Sequence, residues 1–68
     1  MEPLYDKAFS PPTEVSYTPK GERFQRIPYA TRIVFFPDHT LVVETVGLRV
    51  YVITDCERVI VGKSEPEQ

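Results

Sequence analysis

From Arg32 to Gly62 the apolar residues fall in short, closely spaced runs: Ile33-Val34-Phe35-Phe36, Leu41-Val42-Val43, Val50-Tyr51-Val52-Ile53 and Val59-Ile60-Val61. Pro37-Asp38-His39, Val46-Gly47 and Asp55-Cys56-Glu57 separate them. Runs this short, rich in β-branched and aromatic side chains and bounded by turn formers, read as strands rather than helices. The links are too short for parallel crossovers, so neighbouring strands pair antiparallel. The pattern predicts a four-stranded meander near 31–36, 40–46, 48–54 and 57–62.

Register decides which side chains share a face. Pairing Phe36 with Leu41, Val43 with Val50 and Val52 with Val59 puts Val34, Phe36, Leu41, Val43, Val50, Val52, Val59 and Val61 together, and sets Glu44 opposite Arg49. A turn at Gly47-Leu48 instead of Val46-Gly47 moves that pairing by two residues and leaves the faces alone. A slip of one would exchange them. The other face then holds Ile33, Phe35, Val42, Tyr51, Ile53 and Ile60, with Glu44, Arg49 and Arg58. That is not the polar exterior of a one-sided sheet. Burying one large aliphatic or aromatic side chain is worth roughly 1.5–3 kcal/mol, so both faces call for cover.

Residues 1–31 read differently, punctuated by Pro3, Pro11, Pro12, Pro19 and Pro28. Residues 1–12 form a Pro-rich extended arm, irregular or polyproline-like. From Thr13, Val15 and Tyr17 alternate with polar residues, Pro19-Lys20-Gly21 signals a turn, and Arg23 to Ile27 runs back. This predicts a hairpin near 14–18 and 22–27, with Pro28 ending its second strand. The fold class is all-β: one domain over 13–63, its meander extended by the hairpin into a small barrel or sandwich, and a polar tail over 64–68.

Sixty-eight residues allow a thin core that benefits from a partner. The single cysteine excludes an internal disulfide and fits a reducing compartment. No apolar run approaches transmembrane length, and the start lacks a secretory pattern, so the expectation is a cytoplasmic protein away from membranes. A net charge of −2 argues against a general nucleic-acid binder and leaves room for a local basic site.

Three groups of residues carry candidate chemistry. Ile33, Phe35, Arg49, Tyr51, Ile53, Arg58 and Ile60 compose the second face, an apolar protein-binding surface with a cationic rim. Lys20, Arg23, Phe24, Arg26, Tyr29 and Arg32 interleave cations with aromatics, as a single-stranded nucleic-acid surface needs; alternation along a strand, however, splits these cations between faces. Alternate turns of a meander share one end, gathering Asp38 and His39 with Asp55, Cys56 and Glu57. Their spacing matches no metal or nucleophile signature, and polar turn residues are the simpler reading. The leading expectation is a non-catalytic protein-interaction module (accessory subunit, regulator or inhibitor) without cofactor or metal, binding another protein or itself as a homodimer. The alternative is a nucleic-acid-binding small β-barrel using the stretch 20–32.

Overall fold

A computed structural model describes residues 1–62 as five antiparallel strands in one open sheet. They are β1 (Tyr5–Pro19), β2 (Gln25–Phe35), β3 (Leu41–Thr45), β4 (Arg49–Ile53) and β5 (Cys56–Val61), in spatial order β4-β3-β2-β1-β5. The all-β expectation holds; the expected tail lies outside the described residues.

The expected hairpin is present but much longer. Its turn follows Pro19, where Gly21 takes a φ of 75° and the Glu22 amide donates to the Pro19 carbonyl at 3.0 Å. The arm is not irregular from Tyr5 onward: Tyr5 to Ala8 pair with Phe35 to Arg32. Prolines cannot donate to a ladder, so they collect where the ladder is interrupted. Phe9 to Pro12 stand against Thr31 alone, between the pairs Ala8↔Arg32 and Thr13↔Ala30. Pro28 likewise does not end a strand. Pro28 and Tyr29 bulge opposite Glu14, with Tyr29 at a φ of 60°, and β2 continues through them.

These interruptions bend the hairpin and divide the sheet into two halves, as bulges do. The first half of β1 lies beside the second half of β2, followed by β3 and β4. The second half of β1 carries β5 on its free side, through Val15↔Val61 and Tyr17↔Val59. The halves share one core of Val15, Ile27, Ala30, Ile33, Leu41, Val43 and Cys56, with Phe9, Tyr17, Phe35, Ile53 and Val59 packed against it.

Two features of the expected meander are corrected. First, β5 does not pair with β4; Thr54 and Asp55 turn a corner between the halves instead of closing a hairpin. Asp55 adopts a φ of 55°, its carbonyl accepts from the Lys20 amide at 2.7 Å, and the Cys56 amide donates to His39 O at 2.9 Å. The N-terminal region thus supplies the partner strand of β5. Second, the register slips by one residue at both remaining turns, giving Phe35↔Leu41 and Val43↔Tyr51. Residues 36–40 and 46–48 are connections of odd length where even ones were expected. Gly47 and Leu48 both sit at positive φ, 80° and 62°, and the Val46 amide donates to Tyr29 O at 3.1 Å. β2 and β4 are therefore flipped relative to β3. Ile33, Phe35, Leu41, Val43, Tyr51 and Ile53 now share the inner face. Val34, Val42, Val50 and Val52 share the outer one, and Glu44 opposes Val50 rather than Arg49.

Candidate interaction surface

Two cross-strand rows define the outer face of the β4 half. One runs Asp6, Val34, Val42, Val52; the other runs Ala8, Arg32, Glu44, Val50. Charge is concentrated on the side away from β4. Arg32 donates to both carboxylate oxygens of Asp6, from Nε at 3.0 Å and Nη2 at 2.8 Å, while its Nη1 lies 3.9 Å from Glu44. The Arg32 hydrogen bond, reinforced by its charge, holds the Asp6 carboxyl below its ordinary value. Towards β4 the rows become valine only. Val50 and Val52 are 60% and 63% exposed, and Leu48 at the adjoining turn is 96% exposed.

β4 ends the sheet and pairs with β3 alone. Its ladder runs from Leu41↔Ile53 to Thr45↔Arg49 without interruption, whereas the β1–β2, β1–β5 and β2–β3 ladders all contain a register shift. An unbulged edge with exposed β-branched side chains presents main-chain donors and acceptors in a form another strand can read.

The seven residues expected to form one binding face are distributed by the corrected register. Ile33 is fully buried and belongs to the core. Phe35 and Ile53 are half-buried against that core, Phe35 meeting the His39 ring edge-on with centroids 6.0 Å apart. Tyr51 stands on the same inner face at the open edge, 40% exposed. Arg49 is exposed at the start of β4, and Arg58 and Ile60 lie on β5 in the other half of the sheet. The structure thus brings Ile33, Phe35, Tyr51 and Ile53 together, facing inward. Sequence reasoning put Val50, Val52 and Leu48 elsewhere. The signal that locates them is the turn Val46-Gly47-Leu48, once read as three residues.

His39 and Cys56 do meet at one end of the sheet, through main chain. His39 Nδ1 lies 3.2 Å from the Cys56 carbonyl oxygen, and the Cys56 thiol donates to Arg58 O at 3.3 Å. Cys56 is fully buried, and burial pushes its thiol up from the ordinary value, which favours the unreactive protonated form. Lys20, Asp55 and Glu57 complete the lining of a cleft of about 230 Å³ there. Among the described residues no set of three metal-ligating side chains converges, and no buried side-chain polar atom lacks a partner. This arrangement fastens the corner between β4 and β5 to the β2–β3 loop.

The basic stretch is spread over a turn and a bulge. Lys20 and Arg23 are exposed beside the first turn. Arg26 stacks on Phe24 at 5.4 Å from the ring centroid and pairs with Glu14 at 3.3 Å. Tyr29 projects from the β2 bulge, and Arg32 is engaged by Asp6 and Glu44. Two of its cations therefore already face carboxylates. No family model matches this chain, and comparison with curated proteins and with solved structures gives no match.

Proposed function

We propose that this chain is a small non-catalytic interaction module, an accessory subunit, regulator or inhibitor, whose contact surface is the β3–β4 hairpin. The observation that carries the reading is the pairing of an open, unbulged β4 edge with Val50 and Val52, each more than half exposed. Scattered exposed apolar side chains are ordinary on any surface; a contiguous group along a free strand edge marks a binding site. In strand addition the main chain supplies affinity, and alternate side chains supply selectivity. The flip of β2 and β4 shifts the proposed anchors from Tyr51 and Ile53 to Val50 and Val52, with Arg49 at the rim.

Immobilised wild-type protein and a Val50→Lys/Val52→Lys variant, both exposed to cell lysate and to soluble tagged copies of the chain, test this. The expected result is retention of a discrete partner, foreign or self, by the wild type only, with matching circular dichroism for the two proteins. Identical retention by both overturns the reading. The carboxylates already facing Arg26 and Arg32 weigh against the nucleic-acid alternative. Oligonucleotide binding that weakens steeply with salt would reverse that order.

A further inference from the structure

We infer that the occupant of the β4 edge is β4 of a second copy, paired antiparallel about Tyr51. This rests on the reading of β4 as the contact surface and adds the partner and the register. A two-fold interface must be complementary to itself, and β4 meets that condition. Its sequence, Arg49-Val50-Tyr51-Val52-Ile53, is nearly palindromic about Tyr51. Antiparallel pairing centred there sets Val50 opposite Val52 of the second copy on the outer face, and Val52 opposite Val50. The valine rows, Val34-Val42-Val52 in one copy and Val50 in the other, then join across the interface into one apolar band. Cross-strand pairs of this kind are the unit of sheet stabilisation.

Charge selects the same arrangement. Arg49 is exposed, and among the described residues it enters no ion pair. Asp55, also exposed, lies two residues beyond Ile53. Antiparallel pairing carries Arg49 of each copy toward Asp55 of the other. Parallel pairing in register would instead set the two Arg49 side chains side by side, which is destabilising. The other edge of the sheet lacks these properties. β5 carries a register shift opposite Thr18 and Pro19 and exposes Glu57 and Arg58, the devices by which edge strands resist pairing. With five residues per strand the interface is small, and small interfaces make weak, reversible complexes.

Sedimentation of the wild-type chain and site-directed cross-linking test the inference. At about 100 µM, a range suited to a small and reversible interface, the expected mass is twice that of the chain, falling to the single-chain mass on dilution. Antiparallel partners have Cα atoms about 4.5–5.5 Å apart, within disulfide range. A Tyr51→Cys variant should therefore oxidise to a linked dimer. A Val50→Cys variant should not link to itself and should link to Val52→Cys when the two are mixed. The wild-type protein, with its buried Cys56, gives the background. A single-chain mass at the higher concentration overturns the inference, as does a dimer in which Val50→Cys links to itself. A monomer that still retains a foreign protein through Val50 and Val52 would remove the second copy and keep the interaction reading. A monomer whose retention ignores those valines would remove both.

Discussion

β4 and β5 both end the sheet, contain five and six residues, and are joined only by Thr54 and Asp55, yet their outer sides are built differently. β5 carries the exposed pair Glu57 and Arg58 directly after its buried first residue, Cys56, and has an extra residue in its ladder to β1. β4 has a single charge, Arg49, at its first position and an unbroken ladder to β3. Both strands are rich in valine and isoleucine, so composition does not distinguish them. What distinguishes them is whether the ladder is interrupted and where the charges fall, because a bulge twists an edge away from a would-be partner. The structure blunts one edge and leaves the other open.

The largest expected effect tests what lies beneath β4. Leu41 is fully buried opposite Ile53, and its neighbour Val42 points outward beside Val52. Leu41→Ala should cost about 2–5 kcal/mol, the range for emptying an aliphatic core position, and Val42→Ala should cost less than about 1 kcal/mol, as half-exposed sites usually do. Urea unfolding of both variants checks this. Equal costs would mean that the faces are assigned wrongly.

Next comes the contrast between the edges themselves. Val52→Lys should weaken self-association at least tenfold, or about 1.4 kcal/mol, and Arg58→Glu should leave it within about twofold, as expected for a charge outside the contact. Sedimentation equilibrium across a concentration series reads both. A larger loss from Arg58→Glu would move the interface to β5.

A smaller effect concerns the corner linking the two strands. Cys56 is buried, with its thiol pushed up by burial, so thiol reagents should modify it on the order of 100-fold more slowly in the folded protein than in denaturant. Equal rates would show that the corner opens freely and that β5 is not held as described.

The smallest effect is electrostatic. Arg32 depresses the Asp6 carboxyl in the folded state. Its contribution is therefore complete above the unfolded carboxylate value of about 3.9, and is lost as pH falls through the lower folded value. Because the group is exposed the effect should be slight. Asp6→Asn should flatten the acid limb of a urea-midpoint profile below about pH 4, where the lowered folded value separates from the unfolded one. An unchanged limb would mean that the first half of β1 is not secured beside β2 by this pair.

The strand content of this chain was legible because β-branched runs separated by turn residues have few other readings. The turn after Pro19 was legible for the same kind of local reason, and the shared end of His39 and Cys56 was legible from the alternation of turns along consecutive antiparallel strands. The partner of β5 was not. Thr54-Asp55 is short enough for a hairpin, and only the tertiary anchors at Lys20 and His39 make it a corner. Pro28 misled because it stops a regular ladder yet fits a bulge, and a bulge needs a partner strand to exist. The candidate surface turned on parity: whether Val46-Gly47-Leu48 contributes two or three residues to the turn decides whether Tyr51 and Ile53 or Val50 and Val52 face outward. Local sequence constrains turn type weakly when Leu48 must accept a positive φ, a conformation uncommon for residues other than glycine. The inner face settles the matter physically, since it gathers Phe35 and Ile53 against the core, with Tyr51 beside them at the open edge.

The most direct test of the difference between the edges is amide hydrogen exchange of β4 and β5 measured in one sample, at low and at high protein concentration. Protection of Val50, Tyr51 and Val52 should rise with concentration while protection of Arg58, Val59 and Ile60 stays constant. Protection that rises on β5, or that is independent of concentration on both strands, would contradict that difference.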